Sequence, residues 1–126
     1  MNCHFIFYVR DQEVSTRFYQ DVLEQSPILN VPGMTEFQLL NGCVLGLMPE
    51  KGIKRLLGDA IQDPEKAKEI PRSELYLVVS DPEIFMSRAE SAGGRLLSAF
   101  QIRDWGDKAG YIADPDGHVI AFASRN

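Results

Sequence analysis

Hydrophobic residues recur along this chain at two spacings. Alternation with a period of two marks half-buried strands, and a period near 3.6 marks amphipathic helices. In "HFIFYVRDQEV", from residue 4, His4, Ile6 and Tyr8 share one face and Phe5, Phe7 and Val9 the other. The strand runs into a helix opened by Asp11, with Val14, Phe18, Val22 and Leu23 as its apolar face. "ELYLVVSDPEI", from residue 74, repeats the pattern. Glu74, Tyr76 and Val78 oppose Leu75, Leu77 and Val79. Asp81 then caps a helix with Pro82 at its first position, and that helix carries Ile84, Phe85, Arg88, Ala89 and Ala92 before stopping at Gly93-Gly94.

The ends of the two halves match as well. "NGCVLGLM", from residue 41, overlays "DGHVIAFA", from residue 116, so that Gly42 meets Gly117 and Gly46 meets Ala121. Asn41-Gly42 and the stretch "DPDG" at 114–117 are both turn signals. Further strands are expected at 27–31 and 35–40, and at 95–99 and 109–113. Each half therefore reads strand, helix, strand, strand, strand. The fold class is α+β, with two βαβββ modules in one domain: module 1 over 1–48, module 2 over 74–126. Residues 49–73 match neither half, are rich in charge, and read as a connector with a short helix near Ile53–Leu57.

In the last strand Val119, Ala121 and Ala123 share one face, opposite the larger Ile120 and Phe122. The large residues suit packing on a helix. The small ones suit an inward face where room is left.

Composition narrows the function classes. The chain has 126 residues, 44% hydrophobic and 25% charged, with a net charge of −5. An acidic chain without a basic stripe is not expected to bind nucleic acid. No apolar run is long enough for a membrane span, and the N-terminus does not read as a signal peptide, so the expected location is the cytoplasm. Cys3 and Cys43 stand far apart in sequence without a CxxC motif and are expected as reduced thiols, with a disulfide as the less favoured alternative.

The repeated module, with "HFIFYVRD", "STRFYQDVL" and "DWGDKAGYIADPDGHVI", resembles the vicinal oxygen chelate superfamily of glyoxalases, extradiol dioxygenases and fosfomycin- and bleomycin-resistance proteins. The resemblance covers nearly the whole chain. It implies curled mixed sheets forming a cup with the helices outside, and a homodimer. In metal-dependent members four inward positions supply ligands, and here they fall on His4, Gly46, Glu74 and Ala121. Gly46 and Ala121 have no donor, so at most His4 and Glu74 remain, and a catalytic metal normally needs three protein ligands. His118 has the wrong parity and is expected to point away from the cavity. No cofactor is therefore expected. A divalent metal completed by waters, substrate or a connector residue is the alternative.

His4 and Glu74 are the candidate catalytic pair, a carboxylate orienting an imidazole base, with a merely structural polar pair as the rival. The candidate ligand cavity is lined by Ile6, Tyr8, Gly46, Met48, Tyr76, Trp105, Val119 and Ala121. Trp105, the only tryptophan, lies in a loop that the resemblance implies borders the cavity, where it is expected either to stack on a ligand or to cover the rim of the cup. Asp104 and Asp107 flank Trp105 and read as solvated loop charges, with contact to a cationic ligand as the alternative. The leading expectation is a metal-free protein that sequesters a small molecule, as in the bleomycin-resistance branch, in a crevice at a dimer interface. A lyase, isomerase or dioxygenase-type enzyme using an incomplete metal site or the His4–Glu74 pair is the alternative. A structural module whose cup is filled by its own side chains is the third.

Overall fold

A computed structural model describes residues 1–125. The elements follow in the order β1 (Cys3–Val9), α1 (Gln12–Leu23), β2 (Leu29–Val31), β3 (Met34–Leu40), β4 (Cys43–Pro49), α2 (Glu50–Leu57), β5 (Glu74–Val78), α3 (Pro82–Ser91), β6 (Arg95–Ile102), β7 (Lys108–Ala113) and β8 (Val119–Ser124). They form two open four-stranded mixed sheets of identical topology, β1-β4-β3-β2 and β5-β8-β7-β6. In each, the first strand pairs in parallel with the last, and the other neighbours pair antiparallel.

The chain divides into two compact units, residues 1–20 with 24–68, and residues 21–23 with 69–126. Most of the expected connector thus belongs to the first unit. Its helix starts directly from β4 and buries Ile53. Its last residues belong to the second unit, where the Ser73 carbonyl accepts from the Val119 amide at 3.2 Å.

In the first unit register places Phe5, Leu45 and Phe37 in one row and Phe7, Leu47 and Thr35 in the next. Phe7, Val9, Phe37, Leu45 and Leu47 are buried on this face. The helix α1 buries Phe18 and Val22 as expected, together with Ser15, Thr16 and Tyr19, while Val14 is exposed, so its inner face is rotated in part from the expected one. The reason is polar. Thr16 Oγ1 lies 2.9 Å from Thr35 Oγ1, and the Gln12 amide donates to Val31 O and Thr35 Oγ1. These bonds fix the helix on the β2–β3 hairpin. They satisfy hydroxyls that would be costly to bury alone. Asp11 caps α1 as expected, accepting from the Val14 amide at 3.1 Å.

In the second unit Asp81 caps α3 through the Ile84 amide at 3.3 Å. The helix ends at Ala92, and the Gly94 amide returns to Ala89 O at 2.8 Å. Pro82, Met86 and Ala89 are the buried positions of α3, whereas Ile84 is exposed. Gly110 explains the seating of Met86. A β-carbon there would lie 2.8 Å from Met86 Sδ and 2.6 Å from its methyl, so the methionine packs on bare backbone. Strand β6 runs three residues beyond its expected end, and its pairing with β7 shifts register twice.

Candidate functional site

Each sheet has one face packed on its helix and one face that carries the candidate residues. In the first unit that face holds His4, Ile6 and Tyr8 from β1, Val44, Gly46 and Met48 from β4, and Glu36 and Gln38 from β3, as the register rows require. His4 is exposed, and its Nδ1 lies 3.3 Å from Glu36 Oε2. The carboxylate beside His4 within this unit is therefore Glu36, a residue the sequence reading passed over. Only the β3–β4 register, in which Glu36 sits opposite Gly46, reveals it. Gly46 is buried. A β-carbon on it would meet Ile6 Cγ1 and Met34 Sδ, each at 3.2 Å. Two flexible apolar side chains thus close over the position.

In the second unit the corresponding face holds Glu74, Tyr76 and Val78 from β5, Val119, Ala121 and Ala123 from β8, and Ala109, Tyr111 and Ala113 from β7. Ala121 is fully buried, with Tyr76 and Tyr111 as its register partners on the two neighbouring strands. Val119 is half-buried and Glu74 exposed.

Trp105 sits at the tip of the β6–β7 hairpin, which is closed by Arg103 N to Asp107 O at 2.8 Å and turned at Gly106, φ +98°. Its side chain is 58% exposed but oriented. The indole Nε1–H donates to Tyr76 Oη at 2.9 Å, and the Tyr76 hydroxyl donates to Asp107 Oδ2 at 2.7 Å. Asp107 also lies 3.5 Å from Arg125 Nε. Asp107 is therefore buried, not the solvated loop charge expected from sequence. Its partners Tyr76 and Arg125 are far away in the chain, and no local pattern announces them. Asp104 is exposed as expected.

Burial pushes the Tyr76 phenol above the ordinary tyrosine value of 10.0. The Trp105 hydrogen bond opposes that shift and the Asp107 carboxylate adds to it. Tyr111 is raised as well, first by burial and then by the Glu74 charge, against the Arg103 guanidinium. That guanidinium lies 5.0 Å from the Tyr111 ring centroid and is tethered to Ser98 Oγ, Ala99 O and Ala109 O. This side of the second unit thus carries two neutral phenols and an exposed indole, tied to a buried carboxylate at Tyr76 and flanked by a fixed guanidinium at Tyr111.

His118 lies at the end of the "DPDG" turn and is buried. Its Nδ1 is 3.2 Å from Ser73 Oγ and its Nε2 is 3.3 Å from an Arg72 nitrogen. Arginine can only donate, so Nε2 accepts and Nδ1–H donates to the serine. The imidazole is used locally to dock residues 72–73 on the turn. Among the described residues, no three His, Cys, Asp or Glu side chains group so as to hold a metal ion.

The profile of the glyoxalase-like domain family matches residues 1–125, and the chain belongs to that family. Among solved structures it is similar to a glyoxalase-related enzyme from Fulvimarina pelagi, with 28% identity and a TM-score of 0.83 over 99% of this chain and 88% of that one. A glyoxalase/bleomycin resistance protein/dioxygenase family enzyme from Burkholderia phytofirmans PsJN shares the fold at 17% identity, with a TM-score of 0.81 over 98% and 97% of the two chains. The uncharacterized protein Mb0911c of Mycobacterium bovis is 25% identical over 114 residues, which are 87% of this chain and 74% of that protein. The uncharacterized protein Rv0887c of Mycobacterium tuberculosis is 25% identical over the same share of this chain, and the match spans 66% of its length.

Proposed function

We propose that this glyoxalase-like protein binds a small organic molecule, without a catalytic metal, against the aromatic platform of its second unit. The observation that carries the reading is the Trp105–Tyr76–Asp107 chain. An indole left 58% exposed to water, yet fixed by a hydrogen bond to a phenol that is itself anchored on a buried carboxylate, is pre-ordered for stacking. Pre-ordering lowers the entropy cost of binding. Tyr111 and Glu74 add a phenol and a carboxylate on the same side, suited to polar groups of the ligand.

The donor set supports the metal-free part of the reading. Gly46 and Ala121 bring no ligating atom, Gly46 is covered by Ile6 and Met34, and His4 is engaged by Glu36. Of the four ligand positions that the resemblance implies, only His4 and Glu74 carry a donor, fewer than the three protein ligands of a catalytic zinc or iron site. The homodimer implied by the family resemblance belongs to the same proposal, and its sedimentation mass would be twice 14.2 kDa.

An enzymatic reading has one observation in its favour. His4 and Glu36 form an imidazole–carboxylate pair that could act as a general base on the other sheet. A metabolite and antibiotic panel separates the readings. Thermal shift finds compounds that stabilise the native state by mass action. A ligand of the platform should quench Trp105 fluorescence, lose binding on Trp105→Ala, and be returned chemically unchanged. Turnover abolished by His4→Ala, or binding indifferent to Trp105→Ala, overturns the proposal.

A further inference from the structure

We infer that Cys3 and Cys43 form a paired-dithiol site that closes into a reversible internal disulfide when it meets a small disulfide oxidant such as oxidised glutathione. The two cysteines are remote in sequence, but β1 and β4 pair in parallel with Cys3 directly opposite Cys43. Residues in one register row point to the same face of a sheet, and neighbouring strands lie about 4.7–4.9 Å apart. Disulfides span Cα separations of about 4.4–6.8 Å, so this pair is within bonding range without a change of fold. The end of the sheet is also tied shut. The Cys3 amide donates to Gly42 O at 2.7 Å, and residues 1–2 lie against the Gly42 turn. Both thiols are free, Cys3 exposed and Cys43 half-buried, so an oxidant in solution reaches Cys3 first.

The two cysteines belong to the first unit, whereas Tyr76, Trp105 and Tyr111 belong to the second. Cys3 and Cys43 fall on the same face as Phe5 and Leu45, opposite to His4. The helix does not cover this end of the face, where Phe5 remains 55% exposed.

The chemistry is a two-step exchange. The Cys3 thiolate attacks one sulfur of oxidised glutathione, that S–S bond breaks, and one glutathione thiolate leaves. The Cys43 thiolate then attacks the Cys3 sulfur of the mixed disulfide and expels the second glutathione. The protein loses two electrons and two protons, and two glutathione thiols are formed. A second thiol held in register makes the closing step intramolecular and favours it over retention of the adduct.

The test is a titration of the full chain with mixtures of reduced and oxidised glutathione, read by intact mass, peptide mapping and thiol counting. Expected for the wild type is joint loss of both thiols, a Cys3–Cys43 peptide, and no retained glutathione. Cys3→Ser and Cys43→Ser should each retain one glutathione instead, because the resolving thiol is gone. Should either variant fold poorly, the wild-type peptide map decides alone. Glutathione retained on the wild type, a disulfide joining two chains, or thiols that survive the titration would each overturn the inference.

Discussion

The two modules follow one chain path yet use equivalent positions for opposite ends. Gly42 and Gly117 both turn a hairpin with positive φ, at +76° and +84°. A β-carbon on Gly42 would meet the Asn2 side-chain oxygen at 3.3 Å, which can swing away. A β-carbon on Gly117 would lie 2.5 Å from the backbone oxygen of Glu69, which cannot. The first turn is a surface turn. The second is a docking point, where the chain arriving from the first unit is laid over "DPDG" before β5 begins. The turn is stiffened to match, with Asp114 Oδ1 accepting from the Asp116 and His118 amides, each at 2.9 Å.

That contrast breaks first at the glycines. Gly117→Ala should cost about 3 kcal/mol or more, since strain at positive φ adds to displacement of the Glu69 backbone, whereas Gly42→Ala should cost about 1–2 kcal/mol from strain alone. Urea unfolding of both variants measures the gap. Equal losses would mean that the two turns carry the same burden.

The polar pairs come next. Asp107→Ala leaves the buried end of Tyr76 without its acceptor, and should destabilise by about 1–3 kcal/mol while shifting the Trp105 emission. His4→Ala removes an exposed imidazole–carboxylate contact and should cost less than about 1 kcal/mol. Similar stability losses would erase the distinction between an anchored platform and a surface pair.

A smaller difference is expected at the paired small residues. Ala121 is fully buried, so Ala121→Leu should overpack its surroundings by about 1–3 kcal/mol. The methyl of Gly46→Ala would press on Ile6 Cγ1 and Met34 Sδ, each at 3.2 Å, which must give by only a few tenths of an ångström, and thermal unfolding should register about 1 kcal/mol or less.

These residues also mark how far the sequence could be read. The repeat, both Asp caps and the strand parities were legible because each is written in local spacing: Asp11 and Asp81 cap amides three residues on, and the alternation of β1 and β5 is visible in seven letters or fewer. The family followed from the same stretches. What escaped was register. Glu36 beside His4, Asp107 beneath Tyr76 and Cys3 opposite Cys43 all depend on which strand lies next to which, and at what offset. The rotation of α1 escaped because hydroxyls, and not apolar residues alone, fixed its inner face. Ala121 was read as open space because a small residue in a sequence shows its own volume and nothing of its neighbours.

The subtlest consequence lies in the alkaline range, where the platform of the second unit should disclose its own wiring. Tyr76 and Tyr111 are both raised above 10.0, chiefly by burial. With a raised pKa the folded chain keeps its phenolic proton longer than the unfolded chain does. Stability should therefore be flat below the ordinary tyrosine value and fall as the pH climbs through 10.0 toward the folded values, because the unfolded state ionises first. The neighbours fix the direction of each correction. Asp107→Asn removes a charge that opposes ionisation of Tyr76 and should bring its titration down. Trp105→Phe removes the hydrogen bond that favours the phenolate and should move it up. Glu74→Gln removes a charge that opposes ionisation of Tyr111 and should lower its titration. Ultraviolet tyrosinate titration, with Tyr76→Phe and Tyr111→Phe as assignments, reads all three. Opposite signs for Asp107→Asn and Trp105→Phe are the signature of a phenol that donates to one partner and accepts from the other. The same sign for both would mean that the indole, phenol and carboxylate are not joined in that order.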